Sequence, residues 1–334
     1  MQFMSELKIG LILDEDRVLA GVKLPRILFL EELGETPALY GTLAEIQGSW
    51  EKLLAKMGAK YEVPPSDESV QTKDISLEKF WLRVYTPPGS TAGKPVGIYF
   101  HGGGWAMGSV DQEDAVCRLI SNHCQITVIS PSYRLAPSHK YPAALDDCIE
   151  SVAWAFANLK APSVIILGAS AGGNLAFGAA LRLIDQGLGD KVHGVVALVP
   201  ITIHPDAVPA DRKVQYTAYD DNADATVNTR SAMWTFLGAY GAAPDDKYTS
   251  CLLHPKLNLL KKVYIAECGA DTLRDDARLM KEALEKVNVP LTYHGYPGFP
   301  HYSWTFPSKL LDGHREEFLA NMLNGIQWVG GLEG

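Results

Sequence analysis

The stretch Ser163-Val164-Ile165-Ile166-Leu167-Gly168-Ala169-Ser170-Ala171-Gly172-Gly173 decides how this chain is read. Its first half is a short apolar run rich in β-branched residues, the pattern of a strand buried on both faces. Its second half is small residues around one serine, and an Ala/Leu-rich helical pattern follows. A strand that turns straight into a helix leaves room only for residues without bulk beside the turn, and Gly168 and Gly172 supply them. In that context G-x-S-x-G predicts a nucleophile elbow. Ser170 stands above the strand end with its hydroxyl exposed and the amides and positive dipole end of a helix behind it. The competing reading is a packing turn with an idle serine.

Working outward, short apolar runs recur at Val96–Phe100, Ile126–Ser130, Val195–Val199 and Val263–Glu267, with a last strand expected at Leu291–His294. Helical spacing connects them over Ala143–Asn158, Ala277–Val287 and the stripe Phe318, Leu319, Met322, Leu323, Ile326. Strand–helix alternation from Val96 onward predicts an α/β fold with a mostly parallel central sheet flanked by helices and right-handed crossovers. Two stretches break the rhythm. Residues 1–65 show helical spacing around Tyr40–Met57 and no strand signal. His204–Tyr248 carries Pro205, Pro209, several aspartates and the aromatic patch Met233–Tyr240. Both are expected over the carboxyl edge of the sheet, where ligands bind in open α/β folds; otherwise they are peripheral elements with no substrate role.

Directly after the first parallel-type strand comes His101-Gly102-Gly103-Gly104-Trp105. Consecutive glycines can turn their amides toward a developing oxyanion, and the residue after a nucleophile completes such a hole. Gly103, Gly104 and Ala171 are the expected donors, with Gly102 as an alternative. His101 is read as a brace for the loop. No phosphate-cradling or dinucleotide pattern is present. A serine nucleophile needs a base and an orienting carboxylate. Asp271 follows the strand ending at Glu267, and His301 follows the turn-rich Gly295-Tyr296-Pro297-Gly298-Phe299-Pro300. Both sit on loops at strand ends, from which they can reach Ser170. His294 within a strand, His314 in a helix, and Asp275 and Asp276 as first-turn helix acids are the competitors.

These motifs together resemble the hormone-sensitive-lipase-like branch of the α/β-hydrolase superfamily, a branch rich in carboxylesterases. His101–Gly104 resembles its HGGG loop, and Gly168–Gly173 its nucleophile motif. Tyr133-Arg134-Leu135-Ala136-Pro137 with Tyr141-Pro142-Ala143-Ala144 is similar to its YRLAP and PAA stretches, and Asp271-Thr272-Leu273-Arg274-Asp275 to its acid segment. The resemblance spans about residues 75–330. It implies an α/β-hydrolase fold with Ser170 as nucleophile, Asp271 as orienting acid and His301 as base. It also implies a helical cap built from residues 1–65 and an insertion at about 204–248, with residues 66–334 as the catalytic domain. A homodimer is a further implication. The chain departs from the family at Ala169 and at Thr272, where Asp or Thr and Pro are usual, and it places Pro300 and Trp304 around His301.

Composition limits the partners. The 334 residues are 47% apolar or aromatic and 21% charged, which excludes wholesale disorder. Thirty basic against 39 acidic residues give a net charge of −9, unlike a nucleic-acid or anionic-membrane surface. No apolar run reaches the roughly 18–20 residues of a membrane span. Five scattered cysteines without C-x-x-C, no N-x-[ST] sequon and an acidic rather than cleavable start point to a cytoplasmic protein. No metal or organic cofactor is expected. The predicted activity is a serine carboxylesterase acting on small to medium acyl esters, with an acetylated metabolite as a special case implied by the resemblance. Trp105, Tyr133, Tyr219 and Trp234 are candidate pocket walls; they fit cap–core packing as well. The rivals are a non-hydrolytic lyase or cyclase on the same scaffold and a catalytically silent small-molecule receptor. Amide or thioester cleavage would use the same chemistry.

Overall fold

In chain order the strands are β1 (Gln71–Ser76), β2 (Trp81–Thr86), β3 (Val96–Phe100), β4 (Val128–Pro131), β5 (Val164–Ala169), β6 (Val192–Leu198), β7 (Val263–Cys268) and β8 (Leu291–Tyr296). They form one sheet in the order β1-β2-β4-β3-β5-β6-β7-β8, in which β2 runs antiparallel to both its neighbours and all other pairs are parallel. The helices are α1 (Pro25–Leu33), α2 (Leu43–Lys60), α3 (Asp114–Cys124), α4 (Ala143–Asn158), α5 (Ala171–Asp185), the short α6 (Ala218–Asp221), α7 (Arg230–Tyr240), α8 (Arg274–Lys286) and α9 (Asp312–Gly330). This computed structural model describes residues 25–62 and 65–332, so the expected N-terminal segment before residue 25 lies outside the described residues.

Period-two alternation along buried strands sends side chains to both faces, and helices cover each. Ile98, Val164, Ile166, Val195, Val263 and Ile265 pack in one core with α4, α5 and α8. Ile165, Leu167, Val196, Leu198, Tyr264 and Ala266 pack in the other with Cys117 and Ile120 of α3 and Phe318, Met322 and Ile326 of α9. Five cysteines are buried and unpaired. Among the described residues no helix is long and apolar enough to cross a membrane.

The antiparallel pair β1–β2 went unread in the sequence. β1 is polar and exposed on both faces, as an edge strand tolerates, so it carries no hydrophobic pattern. The α8 helix also begins at Arg274, three residues before the predicted start.

The two irregular stretches meet over the sheet's carboxyl edge. Thr42 and Glu45 form a capping box at the start of α2. Ala38 bridges Val227, the Thr229 hydroxyl donates to the Leu39 carbonyl, and Thr235 Oγ1 donates to the Gly41 carbonyl at 3.0 Å. Gln47 Nε2 reaches down to the Ala106 carbonyl in the glycine loop at 3.0 Å.

The insertion is tied to the core through two acids read as simple first-turn residues. Asp275 Oδ2 accepts the amides of Thr217 and Ala218, both at 2.7 Å. Asp276 Oδ1 accepts those of Thr202 and Ile203, and its Oδ2 accepts the Tyr216 hydroxyl at 2.7 Å. Burial pushes the Asp276 carboxyl up from 3.8 to about 7, against these hydrogen bonds. The folded state therefore binds this proton more tightly than the unfolded chain. The resulting stabilisation is complete below pH 3.8 and is lost as pH rises to about 7. Asp276→Asn keeps the amide acceptor and removes the titration. Unfolding free energies from urea titrations at pH 5, 6, 7 and 8 should shift in the variant's favour as pH rises, by at most about 1.4 kcal/mol per pH unit. Parallel curves for the two proteins would contradict this.

Candidate active site

Ser170 sits between the last residue of β5 and the first of α5 at φ 55° and ψ −119°, a left-handed backbone that a non-glycine residue rarely adopts. Its amide continues the β5–β6 ladder to the Leu198 carbonyl at 2.8 Å, which holds the turn over the sheet. The flanking glycines are sterically required. A Cβ on Gly168 would lie 2.2 Å from the Gly172 carbonyl oxygen, and one on Gly172 would lie 2.0 Å from the Phe100 carbonyl oxygen.

Two backbone bonds beyond the strands bring the other loops together: Gly269 N–H to the Tyr296 carbonyl and Ala270 N–H to the Phe299 carbonyl, both 3.0 Å. They set Asp271 beside His301. His301 Nε2 is 2.9 Å from Ser170 Oγ, and its Nδ1 is 2.5 Å from Asp271 Oδ2. All three residues are buried. Asp271 Oδ1 accepts the Leu273 amide at 3.0 Å and Asn228 Nδ2 at 3.3 Å. With a carboxylate at Nδ1, the ring carries its proton there and presents a lone pair at Nε2 to the serine hydroxyl.

The competitors stand elsewhere. His294 lies in β8. His314 pairs through Nε2 at 2.8 Å with the buried Ser303 and stacks on Phe299 at 3.6 Å, and burial lowers its pKa to about 4, which keeps it neutral. His101 is likewise buried, with its pKa lowered to about 4 by desolvation. Its Nδ1–H donates to the Gly102 carbonyl at 2.7 Å, and Tyr133 stacks on the ring at 4.1 Å. It braces the loop as a neutral group.

In that loop Gly103 and Gly104 have φ of 110° and 58°. Neither donates its amide to a backbone carbonyl among the described residues. The Ala171 amide, first in α5, has no partner within its helix. Gly102 lies against the next loop: a Cβ there would fall 2.0 Å from the Tyr302 hydroxyl oxygen.

Ser170, His301 and Gly102–Gly104 open on a cavity of about 580 Å³, mouth included. Its apolar wall is Leu39, Trp50, Val227, Met233 and Phe236, and its polar end is Ser109, Gln112 and Glu113. None of the four candidate wall residues lines it. Trp105 is fully buried and stacks on Tyr240 at 4.3 Å. Tyr133 lies behind His101, and Tyr219 is buried against Tyr216 at 5.6 Å. Trp234 faces outward against His204, 41% exposed. Within α7 the helical period turns Met233 and Phe236 to the cavity and Trp234 away. Asn228, Glu113 and Tyr302 carried no motif. Among the described residues no three His, Cys, Asp or Glu side chains converge as a metal cluster.

A strand–serine–helix turn at the carboxyl edge of a doubly covered parallel sheet, with a histidine and a carboxylate in line, is the framework of an α/β serine hydrolase. Comparison with known proteins agrees with that class. Residues 97–305 match the Abhydrolase_3 family, described as alpha/beta hydrolase fold. The versiconal hemiacetal acetate esterase of Aspergillus parasiticus is 54% identical over 302 residues, 90% of this chain and 96% of that protein. An FAD-linked oxidoreductase of Aspergillus terreus is 54% identical over 274 residues, 82% of this chain, which spans 34% of that longer protein. Among solved structures, vibralactone cyclase superposes with a TM-score of 0.76 at 26% identity, covering 85% of this chain and 86% of that one. The chain belongs to the alpha/beta hydrolase family, and it is a carboxylic ester hydrolase.

Proposed function

We propose that this enzyme is a cytoplasmic serine carboxylesterase of the hormone-sensitive-lipase-like branch that removes a small acyl group, acetyl foremost, from the ester of a larger metabolite alcohol. The observation that carries the reading is the unbroken line from Asp271 Oδ2 through His301 to Ser170 Oγ, 2.5 and 2.9 Å, opening on a cavity walled by a glycine loop. The acetate ester in the name of the Aspergillus parasiticus relative supports the acyl group. We read residues 25–62 and the 204–248 insertion as a cap over this cavity, because Leu39, Trp50, Val227, Met233 and Phe236 of its apolar wall come from them.

In this reading Ser170 Oγ attacks the ester carbonyl as His301 Nε2 takes its proton. The tetrahedral oxyanion is held by the amides of Gly103, Gly104 and Ala171. His301 then protonates the departing alcohol and leaves an acyl-Ser170. A water repeats the sequence, giving its proton to His301, and the acid is released. Asp271 fixes the tautomer and stabilises the imidazolium. The likeness to a cyclase favours one alternative end to the same path for a larger acyl group: a hydroxyl carried by that group attacks the acyl-Ser170 carbonyl in place of water, gives its proton to His301 and releases Ser170 as a cyclic ester forms.

p-Nitrophenyl esters from C2 to C16 test the proposal. Activity should be highest at C2 to C4, fall steeply with longer chains and be absent in Ser170→Ala. A maximum at long chains would overturn the acyl assignment. A cyclic ester product from the natural substrate would favour the alternative.

A further inference from the structure

Four segments converge on one carboxylate that the mechanism above does not use. Glu113 ends the short turn Asp111–Glu113 and lines the cavity beside Gly102, Ser170 and Tyr302. Tyr99, on β3 just before His101, donates its hydroxyl to Glu113 Oε2 at 3.2 Å. Tyr302, the residue after His301, donates to Oε1 at 3.2 Å. Burial raises the pKa of Glu113, and the hydrogen bonds from the two hydroxyls oppose that rise. The glycine loop and the histidine loop touch here: a Cβ on Gly102 would lie 2.0 Å from the Tyr302 hydroxyl oxygen. The turn is itself anchored. Asp111 and Asp114 on either side of Glu113 both pair with Arg83, and Asp114 also pairs with Arg118.

We propose that Glu113 is a positioning residue for ester hydrolysis: its carboxylate holds the Tyr302 hydroxyl against Gly102 and so aims the Gly103 and Gly104 amides and the His301 ring at the same reacting carbonyl. The inference rests on the esterase reading of the site. The Tyr302 hydroxyl so held bears on Gly102, the residue from which the left-handed turns of Gly103 and Gly104 start. Pinning the Tyr302 hydroxyl fixes the residue next to the base, itself at φ 60°. The clasp works through hydrogen-bond acceptance and does not require the charge. A glutamine can serve, because one tyrosine hydroxyl can rotate to accept from its amide group while its oxygen accepts from the other tyrosine. Alanine leaves both tyrosine hydroxyls facing an opened space.

The test uses the intact enzyme with p-nitrophenyl acetate and a methyl trifluoromethyl ketone, which Ser170 converts to a hemiketal oxyanion. Rates are normalised to active sites titrated with a p-nitrophenyl-releasing organophosphate. Glu113→Ala should lower kcat by roughly 10- to 100-fold with KM nearly unchanged, and ketone affinity should fall by the same factor. Glu113→Gln should restore kcat to within a few-fold of wild type. The inference is overturned if Glu113→Ala keeps wild-type kcat, if kcat falls while ketone affinity does not, or if glutamine falls as far as alanine. A wild-type enzyme that neither hydrolyses the ester nor releases p-nitrophenol from the organophosphate would instead remove the esterase reading itself.

Discussion

Ser170→Ala is expected to lower kcat on a short-chain ester by about 10⁴- to 10⁶-fold while leaving the fold and KM close to wild type. The substitution deletes the attacking atom and almost nothing else. Alanine keeps the Cβ that already occupies the left-handed turn at φ 55°, and the backbone amide still donates to Leu198. The His301–Asp271 pair and the glycine loop do not depend on the hydroxyl for their positions. The loop is held by Tyr133 and by the His101 hydrogen bond to Gly102, and Asp271 is held by Leu273 and Asn228. What remains should be catalysis from the oxyanion donors and binding alone, about 10³- to 10⁴-fold over water. Steady-state rates on p-nitrophenyl acetate, with thermal unfolding as the control, decide the matter. A folded variant that hydrolyses at a tenth of the wild-type rate would place the nucleophile elsewhere.

The parts of the site legible in the sequence are those whose constraint is local. The turn around Ser170 has to be small because Gly172 lies under the end of β3, and a run of small residues after an apolar strand reports that directly. Asp271 and His301 were readable because each follows a strand end by a few residues, and parallel strands deliver their following loops to the same edge. The cavity wall was not readable, because which side of α7 faces inward is set by packing against the N-terminal segment. Trp234 looked like the better ligand contact on residue type, yet Met233 and Phe236 face the cavity. Trp105 shows the same limit: a left-handed backbone at φ 57° directs its side chain into the core. Glu113 had no signature, because its two donors, Tyr99 and Tyr302, lie on two other segments. Asp275 and Asp276 read as helix-dipole acids, whereas their carboxylates hold an insertion some 60 residues away in sequence.

Asp271→Asn should be nearly as damaging as losing the serine, although it changes only one oxygen to an amide nitrogen. The orientation of the new side chain is not free. The Oδ1 position receives three donors, the Leu273 amide, Asn228 Nδ2 and the Thr272 hydroxyl, so the asparagine must keep its oxygen there. Its NH₂ then occupies the Oδ2 position, 2.5 Å from His301 Nδ1 in the wild type. An NH₂ group is a donor and can face only an unprotonated Nδ1. The ring moves its proton to Nε2, which then has no lone pair for the Ser170 hydroxyl, and the base is lost with the constellation in place. The expected loss in kcat is about 10³- to 10⁴-fold at neutral pH, with KM little changed. Flipping the amide would restore the tautomer but set its NH₂ against both Leu273 and Asn228. An Asn228→Leu background removes one of those donors, so Asp271→Asn should cost less there than in the wild type. Nitrogen NMR of the labelled imidazole reads the tautomer directly. Protonation at Nδ1 in Asp271→Asn together with near-normal turnover would show that the carboxylate neither orients the ring nor supports its charge.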